Sequence, residues 1–196
     1  MKKLNTEYDF VVIIDCLSEK ERRESQDSAL LAKYLAQEGV ENRYYYCGNK
    51  VSVLYLLNEL KKESSKGVSF PIVFISHGSN LSIFIKHRNE DIDWLDLRQP
   101  LLDINKNMNG NLYVLLACCY GFEGYKIDKR DTGEESFFGI IGPQRIITPE
   151  ESINANEIFF KGLLDGKEIP QAVKDINEHF GEEVYKALAT QDNKLK

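Results

Sequence analysis

Two short apolar runs of this 196-residue chain end in side chains that can do chemistry. Ser69 to Ser76 delivers His77-Gly78, and Asn111 to Ala117 delivers Cys118-Cys119-Tyr120-Gly121. An imidazole within reach of a thiol can take its proton, leave a thiolate nucleophile and later return the proton to a leaving group. Both runs are bounded by turn formers and lack polar alternation, so they read as parallel strands buried on both faces. In an open α/β sheet the ligand crevice lies beyond the carboxyl ends of the strands. A histidine and a cysteine set there face a common crevice, and Gly121, three residues after Cys118, lets the backbone bend away from the sulfur.

Each candidate has a blander alternative. Free cysteine is among the most buried residue types, so Cys118 also reads as a structural thiol, with Cys119 as the reserve nucleophile. Because neighbouring residues point to opposite sides, one of the pair should face the crevice while the other packs inward. His77, ending an apolar strand before Gly-Ser-Asn, is oddly placed for a core filler; His87, in a Lys-His-Arg surface run, and His179, in a C-terminal amphipathic pattern, are not. Asp15 ends another apolar run, where its carboxylate would pair with a basic substrate side chain or merely cap a local backbone N–H. Cys16, Cys47, His77 and Cys118 all fall at strand ends but lack the close ligand pairs of a zinc site. No G-x-S-x-G elbow occurs. His-Cys chemistry requires no cofactor.

The elements that position these residues can be read in order. Phe10 to Asp15 (FVVIID) is a β-branched first strand. Ser18 with Glu21 forms a capping box, opening a helix that runs to Gly39 as its stop, with Leu30, Leu31, Tyr34 and Leu35 as its apolar stripe. Val40 to Cys47 is an aromatic-rich second strand, and a second helix carries Val51, Leu54, Leu57 and Leu60 to a Ser64-Ser65-Lys66-Gly67 breaker. The order β-α-β-α-β implies right-handed crossovers and a parallel sheet with helices on both faces. Past His77, Leu81 to Lys86 and Ile92 to Trp94 suggest a hairpin over the crevice edge. Asp96 then caps a helix with Pro100 in or before its first turn. Gly121 to Glu135, polar and glycine-marked, reads as a mobile loop. Ser136 to Ile141 and Arg145 to Thr148 would be the last strands, and Thr148-Pro149-Glu150-Glu151 opens a helix to Gly166. A final helix starts at about Pro170, and the tail Gln191 to Lys196 frays.

The length suits one domain over residues 1–196, large enough to bury a core without disulfides or metals. A net charge of -6 offers no basic face for nucleic acid or an anionic membrane. Met1-Lys2-Lys3 precedes polar residues rather than an export signal, no run approaches the length of a membrane helix, and the four cysteines lack disulfide-framework spacings. The expected compartment is the cytoplasm.

SFPIVFISHG followed by NLYVLLACCYG resembles the caspase-like (clan CD) cysteine peptidases, and within them the bacterial CHAT-type branch, whose Ala-Cys-x-x-Gly pattern Ala117 to Gly121 matches. Caspases proper read Gln-Ala-Cys-x-Gly, a spacing that would select Cys119. The resemblance implies a three-layer α/β/α sandwich with a mostly parallel central sheet. It also implies a cysteine endopeptidase acting on protein or peptide substrates, with Cys118 as nucleophile, His77 as proton shuttle and the N–H groups of Gly78 and Cys118 as the oxyanion hole. CHAT-type peptidases commonly work with sensor modules in bacterial defence or regulated cell death, so a separate activating protein is implied. In this family the segment after the nucleophile is often processed, which would make Lys126, Lys129 and Arg130 cut sites if Asp15 forms an acidic pocket. The rival reading is a caspase-like fold kept as a catalytically silent binding or regulatory module.

Overall fold

Four runs whose residues are almost all withdrawn from water make the centre of the molecule: Val11–Asp15 (β1), Ile72–Ile75 (β3), Tyr113–Ala117 (β7) and Gly139–Pro143 (β8). Strands apolar on both faces need cover on both faces, which is the condition of a parallel sheet between helices. The computed structural model, which describes residues 8–128 and 135–189, shows this arrangement. Six strands lie in the order β2-β1-β3-β7-β8-β9, where β2 is Asn42–Tyr46 and β9 is Tyr185–Ala189. All neighbouring pairs are parallel except β8 with β9. Helix Pro149–Leu164 (α5) packs on both Asp27–Gln37 (α2) and Ile169–Phe180 (α6), and Lys50–Ser64 (α3) packs on Trp94–Asn107 (α4). The chain thus has a mixed α/β architecture with a mostly parallel central sheet flanked by helices.

Several sequence expectations give way to local chemistry. The first helix is broken: Glu19–Ser25 (α1) stops at Gln26, whose φ of 57° is left-handed, and α2 restarts at Asp27. His77–Gly78 (β4) turns off the main sheet and pairs antiparallel with Ser82–Ile85 (β5), which pairs in turn with Glu90–Asp93 (β6), so the anticipated hairpin is a three-stranded sheet. The box that opens α4 is Asp93 with Asp96 at its third position, which puts Pro100 inside the helix, not in its first turn.

Of the expected loop Gly121 to Glu135, Gly121–Asp128 is 3-10 helical instead, because Ile127 is fully buried and Gly124 lets the turn sit on Leu116 and Ile140, and residues 129–134 lie outside the described residues. Arg145 to Thr148 is not a strand. Its place beside β8 is taken by β9, antiparallel and unanticipated. The expected fraying of Gln191 to Lys196 lies outside the described residues.

Candidate active site

The site begins with strand register. Ile75 of β3 lies opposite Ala117 of β7, so Ser76-His77 and Cys118-Cys119 leave the sheet side by side. They enter a crevice of about 340 Å³ that His77, Cys118 and Cys119 all line. Strict alternation fails here because β7 ends at Ala117. The chain then turns through Tyr120 in the left-handed region, with a φ of 57°, and closes with the Gly121 N–H donating to the Cys118 carbonyl at 2.9 Å. A turn with positive φ at its third residue usually places glycine there. Here glycine comes one residue later, because a Cβ at Gly121 would collide with the Leu116 carbonyl.

Gly78 is a glycine for a related reason. A Cβ on it would lie 2.8 Å from Cys118 Sγ and closer still to the Cys119 carbonyl oxygen. The His-Gly and Cys-Cys segments are therefore in direct packing contact.

The two cysteines differ in environment. Cys118 is 2% exposed, and burial pushes its thiol up to about 12, only partly opposed by the Ser76 hydroxyl beside it. Cys119 is half-buried, with its sulfur 3.7 Å from the Ile147 carbonyl oxygen. Cys16 and Cys47, at the ends of the neighbouring strands β1 and β2, are buried free thiols pushed up by the same cause. Among the described residues, no three His, Cys, Asp or Glu side chains are grouped to hold a metal ion.

The partner of His77 is one that sequence reasoning missed. Its Nε2 lies 2.8 Å from Glu21 Oε1, while Glu21 Oε2 accepts the Ser18 backbone N–H at 3.0 Å. Burial works against the Glu21 charge. The Ser18 side chain and backbone and the His77 ring outweigh it and hold the carboxyl down to about 2. An ionised carboxylate only accepts, so Nε2 carries the proton and Nδ1 is the basic nitrogen. The capping box Ser18-x-x-Glu21 is visible in the sequence as a helix start; its second use, orienting a histidine 56 residues away, needs the fold.

Asp15 does not face the crevice. It is 0% exposed, and its carboxylate accepts from the Leu17 N–H at 2.9 Å, the Tyr44 hydroxyl at 2.8 Å and the Ser28 hydroxyl. Of the two readings of this residue, the local cap is the one realised, extended into a network joining β1, β2 and α2. The carboxylates that do line the crevice are Glu21, Glu24 and Asp27. Lys126 pairs with Glu123 at 2.5 Å and donates to the Asn80 carbonyl at 3.0 Å; Lys129 and Arg130 lie outside the described residues.

Neither a family model nor any curated protein matches the sequence. Solved structures do match in shape. One is gingipain R, an Arg-specific cysteine proteinase, at a TM-score of 0.58 and 10% identity, with 96% of this chain and 50% of that chain covered. Another is a complex of the pro- and mature domains of RgpB from Porphyromonas gingivalis, at a TM-score of 0.58 and 10% identity, with 91% and 47% covered. This chain thus spans about half the length of either. At that identity the likeness establishes the fold alone, the caspase-like α/β fold that gingipain R has. Among the described residues, no helix is long and apolar enough to cross a membrane.

Proposed function

We propose that residues 1–196 form a caspase-like cysteine endopeptidase domain, closest to the CHAT-type branch, with Cys118 as nucleophile and His77 as proton shuttle. The observation that carries this reading is the convergence of His77 and Cys118 on one crevice, with Gly78 packed against the cysteine sulfur. His77 Nδ1 takes the thiol proton, the thiolate attacks the scissile carbonyl carbon, and the N–H groups of Gly78 and Cys118 receive the developing oxyanion. The imidazolium returns its proton to the departing amine. Water, deprotonated by the same imidazole, then hydrolyses the thioester and restores the thiol. Glu21, accepting from Nε2, orients the ring and stabilises the imidazolium.

A buried Cys118 thiol held near 12 is a resting form, which fits activation by a separate protein that reshapes the crevice, as in a regulated defence system. The shape neighbour that contains a pro-domain bound to its protease is an instance of a protein partner on this fold. The same burial is the specific support for the second reading, a catalytically silent regulatory module.

Digestion of a peptide library by wild-type protein, followed by mass spectrometry, tests the assignment against Cys118→Ala, Cys119→Ala and His77→Ala. The expected result is loss of cleavage by about ten-thousandfold in the first and third variants, with cleavage retained in the second. Full turnover in Cys118→Ala would transfer the nucleophile to Cys119. Absence of cleavage with any tested partner, together with inert thiols, would favour the silent module.

A further inference from the structure

One edge of the six-stranded sheet is open. β2 pairs with β1 in unbroken register, from Val11 with Asn42 to Asp15 with Tyr46, and with no other strand among the described residues. At the two ends of this ladder the Val11 N–H donates to the Glu41 carbonyl at 2.9 Å and the Cys47 N–H donates to the Asp15 carbonyl at 2.8 Å. A parallel ladder uses alternate residues of each strand, so Arg43 and Tyr45 also bond β1. The N–H and C=O groups of Asn42, Tyr44 and Tyr46 point away from the sheet, without a partner among the described residues. Edge strands are commonly blunted by free charge, proline or a bulge. β2 has none of these, because its one charged residue, Arg43, is neutralised by Glu63 at 2.6 Å and Glu41 at 3.8 Å. The opposite edge is covered where β9 begins: Asn177 of α6 donates to the Tyr185 carbonyl and accepts the Val184 and Tyr185 N–H groups.

The side chains along the open edge are as informative as its backbone. Asn42 and Tyr44 face α2 and the Asp15 network, with Asn42 Nδ2 donating to the Ala32 carbonyl at 3.2 Å and the Tyr44 hydroxyl donating to Asp15 at 2.8 Å. Tyr44 and Tyr46 are 40% and 44% exposed. Arg22 of α1 reaches both: its Nη1 donates to the Tyr44 hydroxyl at 3.4 Å, and its guanidinium lies 3.9 Å from the centre of the Tyr46 ring. No carboxylate pairs with Arg22 among the described residues. On the other face Tyr45 is half-buried against the core. An incoming strand that is apolar toward Tyr45 and carries a carboxylate toward Arg22 complements both faces. A second copy of β2 does not. Paired antiparallel about Tyr44, it sets its own Asn42 opposite Tyr46, and Arg22 meets an amide where a carboxylate is needed.

We propose that the β2 edge is the docking site for an extended acidic segment of a partner protein, added as a further strand with its carboxylate on Arg22. Main-chain bonds to Asn42, Tyr44 and Tyr46 supply affinity, and the carboxylate supplies selectivity. The edge communicates with the crevice through α1, a helix of seven residues none of which is buried. Arg22 and Glu21 are neighbours in it, and Glu21 is the residue that holds His77. A strand that fixes Arg22 therefore fixes the carboxylate that orients the imidazole. This effect on cleavage rests on the peptidase reading; the docking itself does not.

The probe is a head-to-tail cyclic β-hairpin whose outer strand reads Thr-Val-Glu-Val-Thr, compared with a twin that has Gln for Glu. Titrated into isotope-labelled protein and followed by NMR, it is expected to slow amide exchange at Asn42, Tyr44 and Tyr46 by more than about tenfold and to leave Arg43 and Tyr45, already bonded to β1, unchanged. The Gln twin should bind about threefold more weakly, and Arg22→Gln should erase that difference. Asn42→Pro, at the first residue of an edge strand and checked for native circular dichroism, should weaken binding by about tenfold or more. Peptide cleavage in the same samples should rise about tenfold when the hairpin is bound. Unchanged exchange at the three outward amides, or protection that survives Asn42→Pro, overturns the docking site, and equal binding of the two hairpins overturns its acidic selectivity. The same protection produced by concentrating the protein alone puts a second copy in place of the partner and overturns the proposal. Docking with cleavage unaltered overturns the link through α1. Docking with no cleavage under any condition upholds the site and sinks the peptidase.

Discussion

Glu21 Oε1 and His77 Nε2 are 2.8 Å apart, and the carboxylate that fixes the ring is also the capping residue of α1. One side chain therefore ties the helix start to the ring that would act as base. The Glu21 carboxyl is held down to about 2 against an ordinary value of 4.5. A group whose pKa is lowered by folding stabilises the fold above its ordinary value and loses that stabilisation as pH falls toward the lowered one. Glu21→Gln should then cost about 1–2 kcal/mol between pH 6 and 8, allowing for solvent screening of a side chain that is 25% exposed, and the cost should fade between pH 4.5 and about 2. Urea unfolding of both proteins across that range checks it. A difference that is flat with pH would remove the ion pair from the account.

Gly78→Ala is expected to damage the site more than its size suggests. The added methyl has no room between Cys118 Sγ and the Cys119 carbonyl, so the two strand ends must separate. The expected cost is about 1–3 kcal/mol in stability, together with loss of any His-Cys activity. Thermal unfolding and peptide cleavage measured on the same preparation would show whether both effects occur.

Much of the frame is legible in the sequence because it is written in burial. FVVIID, PIVFI and YVLLA are apolar without alternation, and a parallel sheet between helices is what such runs require. The capping boxes at Ser18 and Thr148 likewise appear where their residues predict. What could not be read are features set by tertiary contact. The kink at Gln26 carries neither glycine nor proline, the sheet order places β9 antiparallel after a helix, and the turn Gly121–Asp128 is held by packing on β7 and β8. The site shows the same division. His77 and Cys118 were visible from strand ends. Asp15 was misassigned because a strand-end position says nothing about which neighbours consume the carboxylate, and Glu21 and Asp27 were hidden because helix faces depend on where the helix breaks.

Asp15→Asn should act on stability alone. Its carboxylate satisfies the Leu17 N–H and the Tyr44 and Ser28 hydroxyls in a fully buried position, so an amide that inserts two donors among those donors is expected to cost about 2–4 kcal/mol. Denaturant unfolding measures this directly. Preference among basic and neutral peptides should not move, and a changed preference would return Asp15 to the substrate pocket.

Alkylation by iodoacetamide distinguishes a resting Cys118 from an activated one. The thiolate is the reactive form, and a thiol pushed up to about 12 is almost wholly protonated at neutral pH. In the isolated protein the Cys118 rate should therefore climb about tenfold per pH unit from pH 7 to 10, without a plateau and with no change in His77→Ala. Cys119, which is half-buried, should be labelled first at pH 7. Activation by a partner or substrate would couple Cys118 to His77, so its rate should then plateau near neutral pH, and His77→Ala should abolish the plateau. Peptide mapping of the labelled sites over this pH range separates the two states. A neutral plateau already present in the isolated protein would mean that His77 and Cys118 are engaged without a partner, which would remove the need for an activating protein and leave the dyad in place.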